Sequence, residues 1–381
     1  MKSLSGGQIS LAEVGEASGF LSSEEQALAL EISDPRFYRR SVLGGALGFA
    51  ESYIRGEWDT KDLTALLSVF VRELTSESFK PNSRMSWASN LAARAGHWMR
   101  RNTRAGSKKN ISAHYDLSNE FFSTMLDETM TYSSACFEQG STDLAAGQFA
   151  KYDRLCRWLE LDSSDHLLEI GTGWGGMSIH VATQFGCRVT TTTISQQQYD
   201  YATAKIEKLG LTDQINVLLC DYRDLKGTYD KAVSIEMIEA VGHKFLPGYF
   251  EAISSLVKTG GQFAIQAISM PDRTYEKYLQ RTDFIQKYIF PGSCCPSLGA
   301  LVQGYSGTAW HCEQIANIGE DYATTLRLWR ENFESELPRI RELGFDDRFI
   351  RMWRYYLCYC EAGFAEKYLS NHQILFSKGN A

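Results

Sequence analysis

The sequence predicts an α/β protein, a doubly wound sheet with a smaller helical region ahead of it. Three observations carry the prediction. From residue 165 onward, short apolar or β-branched runs alternate with helical stretches; the first of these runs ends in a glycine-rich turn; and the first 110 residues lack that rhythm.

The strand candidates follow in order. "HLLEIG" (166–171) is apolar and ends in glycine, "CRVTTTTIS" (187–195) is β-branched, and "INVLLCD" (215–221), "DKAVSIEM" (230–237) and "GQFAIQAIS" (261–269) repeat the plan. Helices are expected between them at about 175–186, 196–209 and 243–258. Strands separated by helices of this length imply a parallel sheet covered on both faces. Further along, "DRTYEKYLQRTDFIQKYIF" (272–290) reads as helical and aromatic and "PGSCCPS" (291–297) as a loop. A strand is expected near 308–315, helices at 320–335 and about 346–367, and a last strand at "HQILFS" (372–377). The insertion of about 270–305 sits at the carboxyl end of a strand, where open α/β sheets bind ligands.

Residues 1–110 read as mostly helical and as a separate domain from 111–381. "TKDLTALLSVFVREL" (60–74) has helical spacing with Thr60 as N-cap, whereas "SEEQALALEIS" (23–33) is too irregular to assign. Residues 84–109 carry Arg94, His97, Arg100, Arg101, Arg104, Lys108 and Lys109 among Trp87, Leu91 and Trp98. That composition suits either a surface resting on anionic lipid headgroups or a solvated face beside a linker at 102–110.

The net charge of −7 argues against nucleic acid as a partner selected by bulk electrostatics. Nine irregularly spaced cysteines suit a reducing cytoplasm better than a disulfide framework. No C-x-x-C or H-E-x-x-H occurs, so a metal site is not expected. No run approaches eighteen apolar residues, so any membrane contact is expected to be peripheral.

"LLEIGTGWGG" (167–176) places Gly171 and Gly173 directly after a strand and before a helix, where the backbone approaches a ligand closely and helix amides are free. The dinucleotide pattern G-x-G-x-x-G, with a carboxylate after the second strand, is absent; Glu169 precedes the loop and the second strand ends in Thr193-Ile194-Ser195. This favours S-adenosylmethionine, which has no phosphates. Asp221 and Tyr222, after the third strand, stand where an adenine would be met. "MTYSSACFEQG" (130–140), ahead of the loop, reads as a catalytic segment, a lid or a linker.

Eight colinear stretches resemble one family, the S-adenosylmethionine-dependent cyclopropane-fatty-acid synthases: "LGFAESYIRGEWDTKDL" (47–63), "HYDLSNEFFSTMLDETMTYSSACFE" (114–138), "LLEIGTGWGG", "TTISQQQ" (192–198), "SIEMIEAVG" (234–242), "DFIQKYIFPG" (283–292), "DYATTLRLW" (321–329) and "YYLCYCEAGF" (355–364). The resemblance implies a class I methyltransferase fold and cofactor contacts at Tyr132, Ser133, Gly171, Gly173, Thr193, Ile194, Gln198, Asp221, Tyr222 and Ile235. It makes "TYSS" a lid and wall of the active site. It also implies a homodimer acting at the inner face of the membrane on unsaturated phospholipid acyl chains.

Family members add a methyl group to a cis double bond, and proton loss from the new methyl then closes a cyclopropane. The site must exclude water, steady a carbocation and supply a base. Ring faces suit the cation; Tyr275, Tyr278, Phe284, Tyr288, Phe290 and Tyr322 are the aromatic candidates. In the family the base is a bound bicarbonate held by a cysteine, a glutamate, a histidine, a tyrosine and an amide. The resemblance places these roles on Ser134, Glu239, Gln266, Tyr322 and the amide of Ile268, so the cysteine and the histidine are replaced. Serine and glutamine can donate to a carbonate, but glutamine cannot exchange a proton. The expected product is a cyclopropane fatty acyl chain, with bicarbonate held by a rearranged set; in the alternative the proton leaves differently and a methyl-branched unsaturated chain results. Methylation of another apolar substrate, and an inactive lipid- or cofactor-binding homologue, are the other readings. Glu239 could instead cap a following helix.

Overall fold

The structure, a computed structural model, describes residues 11–13, 28–75, 117–137 and 141–379. The basic stretch 84–109 and the linker at 102–110 lie outside the described residues.

The alternating pattern folds as the apolar runs dictate. Strands β4 (His166–Ile170), β5 (Arg188–Thr193), β6 (Ile215–Leu219), β7 (Tyr229–Ile235) and β8 (Val257–Ser269) are parallel neighbours in the order β6-β5-β4-β7-β8. The helices between them are α5 (Gly176–Phe185), α6 (Gln196–Lys208) and α7 (Leu246–Leu256), and α4 (Leu144–Trp158) precedes β4. One apolar cluster gathers Leu155, Val181, Val189 and Ile206; another gathers Tyr249, Phe250, Phe263 and Phe376, so buried cores back the sheet. This is the class I methyltransferase arrangement expected from the sequence.

The chain order reverses between β4 and β7, so the loops at their carboxyl ends diverge and leave a crevice. Beyond β8 come α8 (Asp272–Leu279), a wide turn at Ile285–Ile289, α9 (Leu298–Tyr305), β9 (Trp310–Asn317), α10 (Gly319–Ser335), α11 (Leu337–Glu342), α12 (Asp347–Ala365) and β10 (Ser370–Lys378). β10 inserts antiparallel between β8 and β9, setting Asn371 opposite Ile268 and Gln373 opposite Gln266. Directly paired residues share a face of the sheet, so this register brings polar side chains of two strands together.

The N-terminal region is not purely helical. β1 (Leu11–Glu13), β2 (Leu30–Ile32) and β3 (Trp58–Asp59) form a small sheet beside α1 (Arg36–Ile54) and α2 (Leu63–Thr75). The unassigned stretch 23–33 thus ends as a strand, because Leu30 and Ile32 bury on one side of it. Asp62, not Thr60, caps α2: its Oδ1 accepts from the Ala65 amide at 2.9 Å. α3 (Asn119–Phe122) leads into the segment of the TYSS motif. Leu30, Trp58 and Leu66 share one core with Trp329, Phe333 and Trp353 of α10 and α12.

Arg351 of α12 ties the two regions. It donates to the carbonyls of Tyr53 (2.6 Å) and Trp58 (2.8 Å), pairs with Asp59 at 2.8 Å, and lies 4.0 Å from the Tyr53 ring centre. Arg351→Met leaves two carbonyls without this donor and is expected to cost about 2 kcal/mol. A thermal melt followed by circular dichroism checks it: the midpoint falls by several degrees, and an unchanged midpoint contradicts the role given to Arg351.

Candidate active site

At the crevice a cavity of about 1230 Å³ opens, lined by the β4 loop, the TYSS segment, the ends of β7 and β8, and α12. Gly171 and Gly173 adopt left-handed φ values of 100° and 53°, which a side chain would resist, and both border the cavity. Every cofactor contact implied by the resemblance lines it: Tyr132, Ser133, Gly171, Gly173, Thr193, Ile194, Gln198, Asp221, Tyr222 and Ile235, together with Glu169.

Local bonds fix these groups. The Ser195 hydroxyl caps α6 by accepting from the Gln198 amide, and Thr193 donates to Gln198 Oε1 at 2.8 Å. Asp221 is engaged by Arg223, also on the cavity wall. Glu169 is buried and accepts from Ser178 Oγ of α5; burial raises its pKa to about 7. The Tyr132 hydroxyl meets that of Tyr356 at 2.8 Å, and the Ala135 amide donates to Thr325 Oγ1 at 3.1 Å, so the TYSS segment is a fixed wall.

The polar cluster beyond the cofactor loop differs from expectation in its centre. The hub is Glu236, two residues into "SIEMIEAVG". Its Oε1 accepts from the Ser134 amide (3.0 Å), Gln266 Nε2 (2.8 Å) and Asn371 Nδ2 (2.6 Å), and its Oε2 accepts from the Tyr322 hydroxyl (2.9 Å). Glu236 holds a left-handed φ of 48°, uncommon for a residue with a Cβ, and its amide donates to the Gln266 carbonyl at 2.8 Å. That turn at the end of β7 folds the carboxylate back into the cluster.

Ser134, Gln266 and Tyr322 therefore come together as the resemblance implied, but around a side-chain carboxylate. Two details are corrections. The Ser134 hydroxyl donates to the Ala135 carbonyl at 2.9 Å, and its amide, not its hydroxyl, reaches the cluster. Ser134 and Gln266 are fully buried behind Glu236 and do not line the cavity. Gln373 donates to Gln266 Oε1 at 2.9 Å, which leaves the Gln266 amide nitrogen facing Glu236.

Glu239 lines the cavity and caps no helix. Its Oε1 accepts directly from the Ile268 amide at 2.5 Å, the amide expected to hold the anion, while Oε2 is buried with no partner among the described residues. Burial first, and the neighbouring Glu236 second, raise its pKa to about 8. Of the aromatic candidates, Tyr278, Phe284, Phe290 and Tyr322 line the cavity; Tyr275 and Tyr288 do not, and Tyr355, Tyr356, Tyr359 and Phe364 of α12 join instead. Cys295 lines it, and the Cys294 amide supports the Glu239 carbonyl at 2.8 Å. Among the described residues no cluster suits a metal ion.

These residues fit S-adenosylmethionine. The left-handed glycines leave room for a ligand against backbone, Glu239 with its unpartnered carboxyl oxygen belongs to the cavity wall, and the cavity exceeds the 300–1,000 Å³ usual for one small ligand. A model of the mycolic acid cyclopropane synthetase family matches residues 102–374. The chain belongs to this family. It is an S-adenosylmethionine-dependent methyltransferase, and the chemistry of the family is the methylation of lipid acyl chains. It is 40% identical over 378 residues to the tuberculostearic acid methyltransferase UfaA1 of Mycobacterium tuberculosis, covering 94% of this chain and 85% of that one. It is 33% identical to the cyclopropane-fatty-acyl-phospholipid synthase of Escherichia coli, covering 92% and 88%. The mycolic acid cyclopropane synthase CmaA1, complexed with SAH and CTAB, superposes with a TM-score of 0.67 at 27% identity, over 71% of this chain and 98% of that one.

Glu236 and Asn371 were not singled out from the sequence. The signal for the first was present as two glutamates three residues apart around a strand end. Nothing local marks Asn371, because its role comes from the β8–β10 register.

Glu239 supplies a pH test. Its folded pKa of about 8 lies above the ~4.3 of an unfolded glutamate, so its contribution belongs to the protonated form. That contribution is full below about pH 4 and is lost as pH rises through 8. In melts from pH 5 to 9, Glu239→Gln should gain stability relative to the unaltered protein as pH rises, by a few degrees. A constant difference across the range would contradict the raised pKa.

Proposed function

We propose that the protein methylates the cis double bond of unsaturated phospholipid acyl chains and that Glu236 receives the proton the reaction releases. Bound S-adenosylmethionine supplies an electrophilic methyl group. The alkene π pair forms the new carbon–carbon bond, the cofactor's carbon–sulfur bond breaks, and the chain becomes a carbocation that must lose one proton.

The protein's part is to hold and protect that cation. Ring faces of Tyr278, Phe284, Phe290 and Tyr322 border the cavity and favour positive charge. The aromatic wall also keeps water from the cation. The single observation that carries the reading is Glu236: the donors expected around a bound bicarbonate are taken up by a carboxylate of the chain itself. The backbone amide of Ser134 and the side chain of Gln266 suffice there because they position the base and exchange no proton.

The product follows from the base being fixed. Four donors and a strained backbone hold the Glu236 carboxylate in place. Loss of a proton from the carbon beside the cation forms an alkene without ring strain, whereas loss from the new methyl group must close a three-membered ring. We infer a methyl-branched unsaturated chain. Lys277 and Arg281 line the same cavity, are exposed, and form no ion pair among the described residues, which supports a phosphate-bearing lipid as substrate. Among the described residues no helix is long and apolar enough to cross a membrane, so contact with a bilayer would be peripheral.

Lipids from a host without its own cyclopropanating enzyme, expressing this protein, should gain one CH₂ with an olefinic proton and a branch methyl by mass spectrometry and proton NMR. High-field cyclopropane protons would overturn the product and leave methyl transfer standing. Glu236→Gln should lower turnover by at least about 100-fold, the contribution of a positioned base. Glu236→Gly should be equally slow but regain turnover with added bicarbonate, while the unaltered protein does not respond. A bicarbonate response in the unaltered protein would remove Glu236 as the base.

A further inference from the structure

Lys151 of α4 is fully buried, and no carboxylate lies within ion-pair distance of it among the described residues. Its ammonium donates to Gln148 Oε1 (2.6 Å) and to Ser133 Oγ (2.7 Å) and lies 4.9 Å from the Tyr152 ring centre. A buried charge without a counter-ion is costly, so such a group calls for an anion or a function. Burial lowers its pKa to about 8, opposed by the negative charge of Glu236, which leaves it an ammonium at neutral pH.

The direction of the bond to Ser133 matters. An ammonium can only donate, so Ser133 Oγ is the acceptor and its own O–H must point elsewhere. No acceptor for it exists among the described residues, and Ser133 lines the cavity. Gln148 donates from Nε2 to the Ser133 carbonyl at 3.0 Å, so backbone and side chain of this one residue are both held from α4. The adjoining wall abuts the cofactor loop: a Cβ on Gly176 would stand 2.6 Å from Tyr152 Oη and 3.1 Å from Thr131 Oγ1.

We propose that Lys151 is a positioning residue that, through Ser133, aims a polarised hydroxyl donor at the carboxylate of the cofactor's methionine moiety. The inference rests on S-adenosylmethionine being the ligand of the glycine loop. That cofactor has one anionic group and no phosphate, so a single donor backed by a cation is the matching device. When the site is loaded, the buried ammonium gains through Ser133 the negative charge it otherwise lacks, and a donor hydrogen-bonded to a cation is a stronger donor.

The test compares binding of S-adenosylhomocysteine with binding of its decarboxylated analogue, which keeps the adenosine, sulfur and amine, by calorimetry on the full chain. The unaltered protein should prefer S-adenosylhomocysteine by about 10- to 100-fold, the range for a hydrogen bond to a charged group. Lys151→Met and Ser133→Ala should each lose most of that preference by weakening S-adenosylhomocysteine alone, with the analogue within about twofold. The double variant should bind no worse than the poorer single, because both changes break one relay. Equal weakening of both ligands would mean that Lys151 only braces the wall, and that overturns the proposal, as does an unchanged preference. If Lys151→Met fails to fold, Ser133→Ala, which keeps the ammonium and its bond to Gln148, decides alone. Failure of the unaltered protein to bind either ligand would reject the cofactor assignment itself.

Discussion

One half-buried carboxylate organises this active site. Glu236 accepts hydrogen bonds from the wall segment at Ser134, from β8 at Gln266, from β10 at Asn371 and from α10 at Tyr322. Four parts of the chain, distant in sequence, are thereby held at one point. A carboxylate taken from water needs this many donors to offset its lost hydration, so the cluster and the packing around it are mutually required. Glu239 beside it shows the opposite case: with one amide partner and a carboxylate neighbour, it keeps its proton.

The switch point of the sheet explains why the chemistry collects there. β4 and β7 are neighbours whose following loops part, leaving glycine backbone on one side and the two glutamates on the other. The aromatic rings of α12 and the insertion after β8 close the rest. The N-terminal region is not an independent lid, since its Leu66 and Trp58 share a core with Trp329 and Trp353, and Val42 and Leu47 of α1 also border the cavity.

Much of this was legible in the sequence where local chemistry decides structure. β-branched and apolar runs marked the five parallel strands to within a few residues, and Gly171 and Gly173 marked the ligand loop. Leu30 and Ile32 were opaque because three residues of strand carry no periodicity of their own. Thr60 and Asp62 are both good caps, and only the helix start separates them. That Gln266 and Tyr322 share one cluster could be placed by likeness, yet their common partner could not, because it depends on a left-handed turn at Glu236 that no propensity predicts. Gln373 and Asn371 became visible only through strand register.

The insertion of β10 between β8 and β9 has a bearing on when the protein becomes competent. Asn371, a donor to Glu236, and Gln373, which orients Gln266, belong to the last strand of the described chain, while β8, which they join, lies more than a hundred residues earlier. Until that strand pairs with β8, Glu236 lacks its Asn371 donor and Gln266 lacks the Gln373 amide. The glycine loop needs nothing from this strand, whereas the carboxylate cluster is whole only when the strand is seated between β8 and β9.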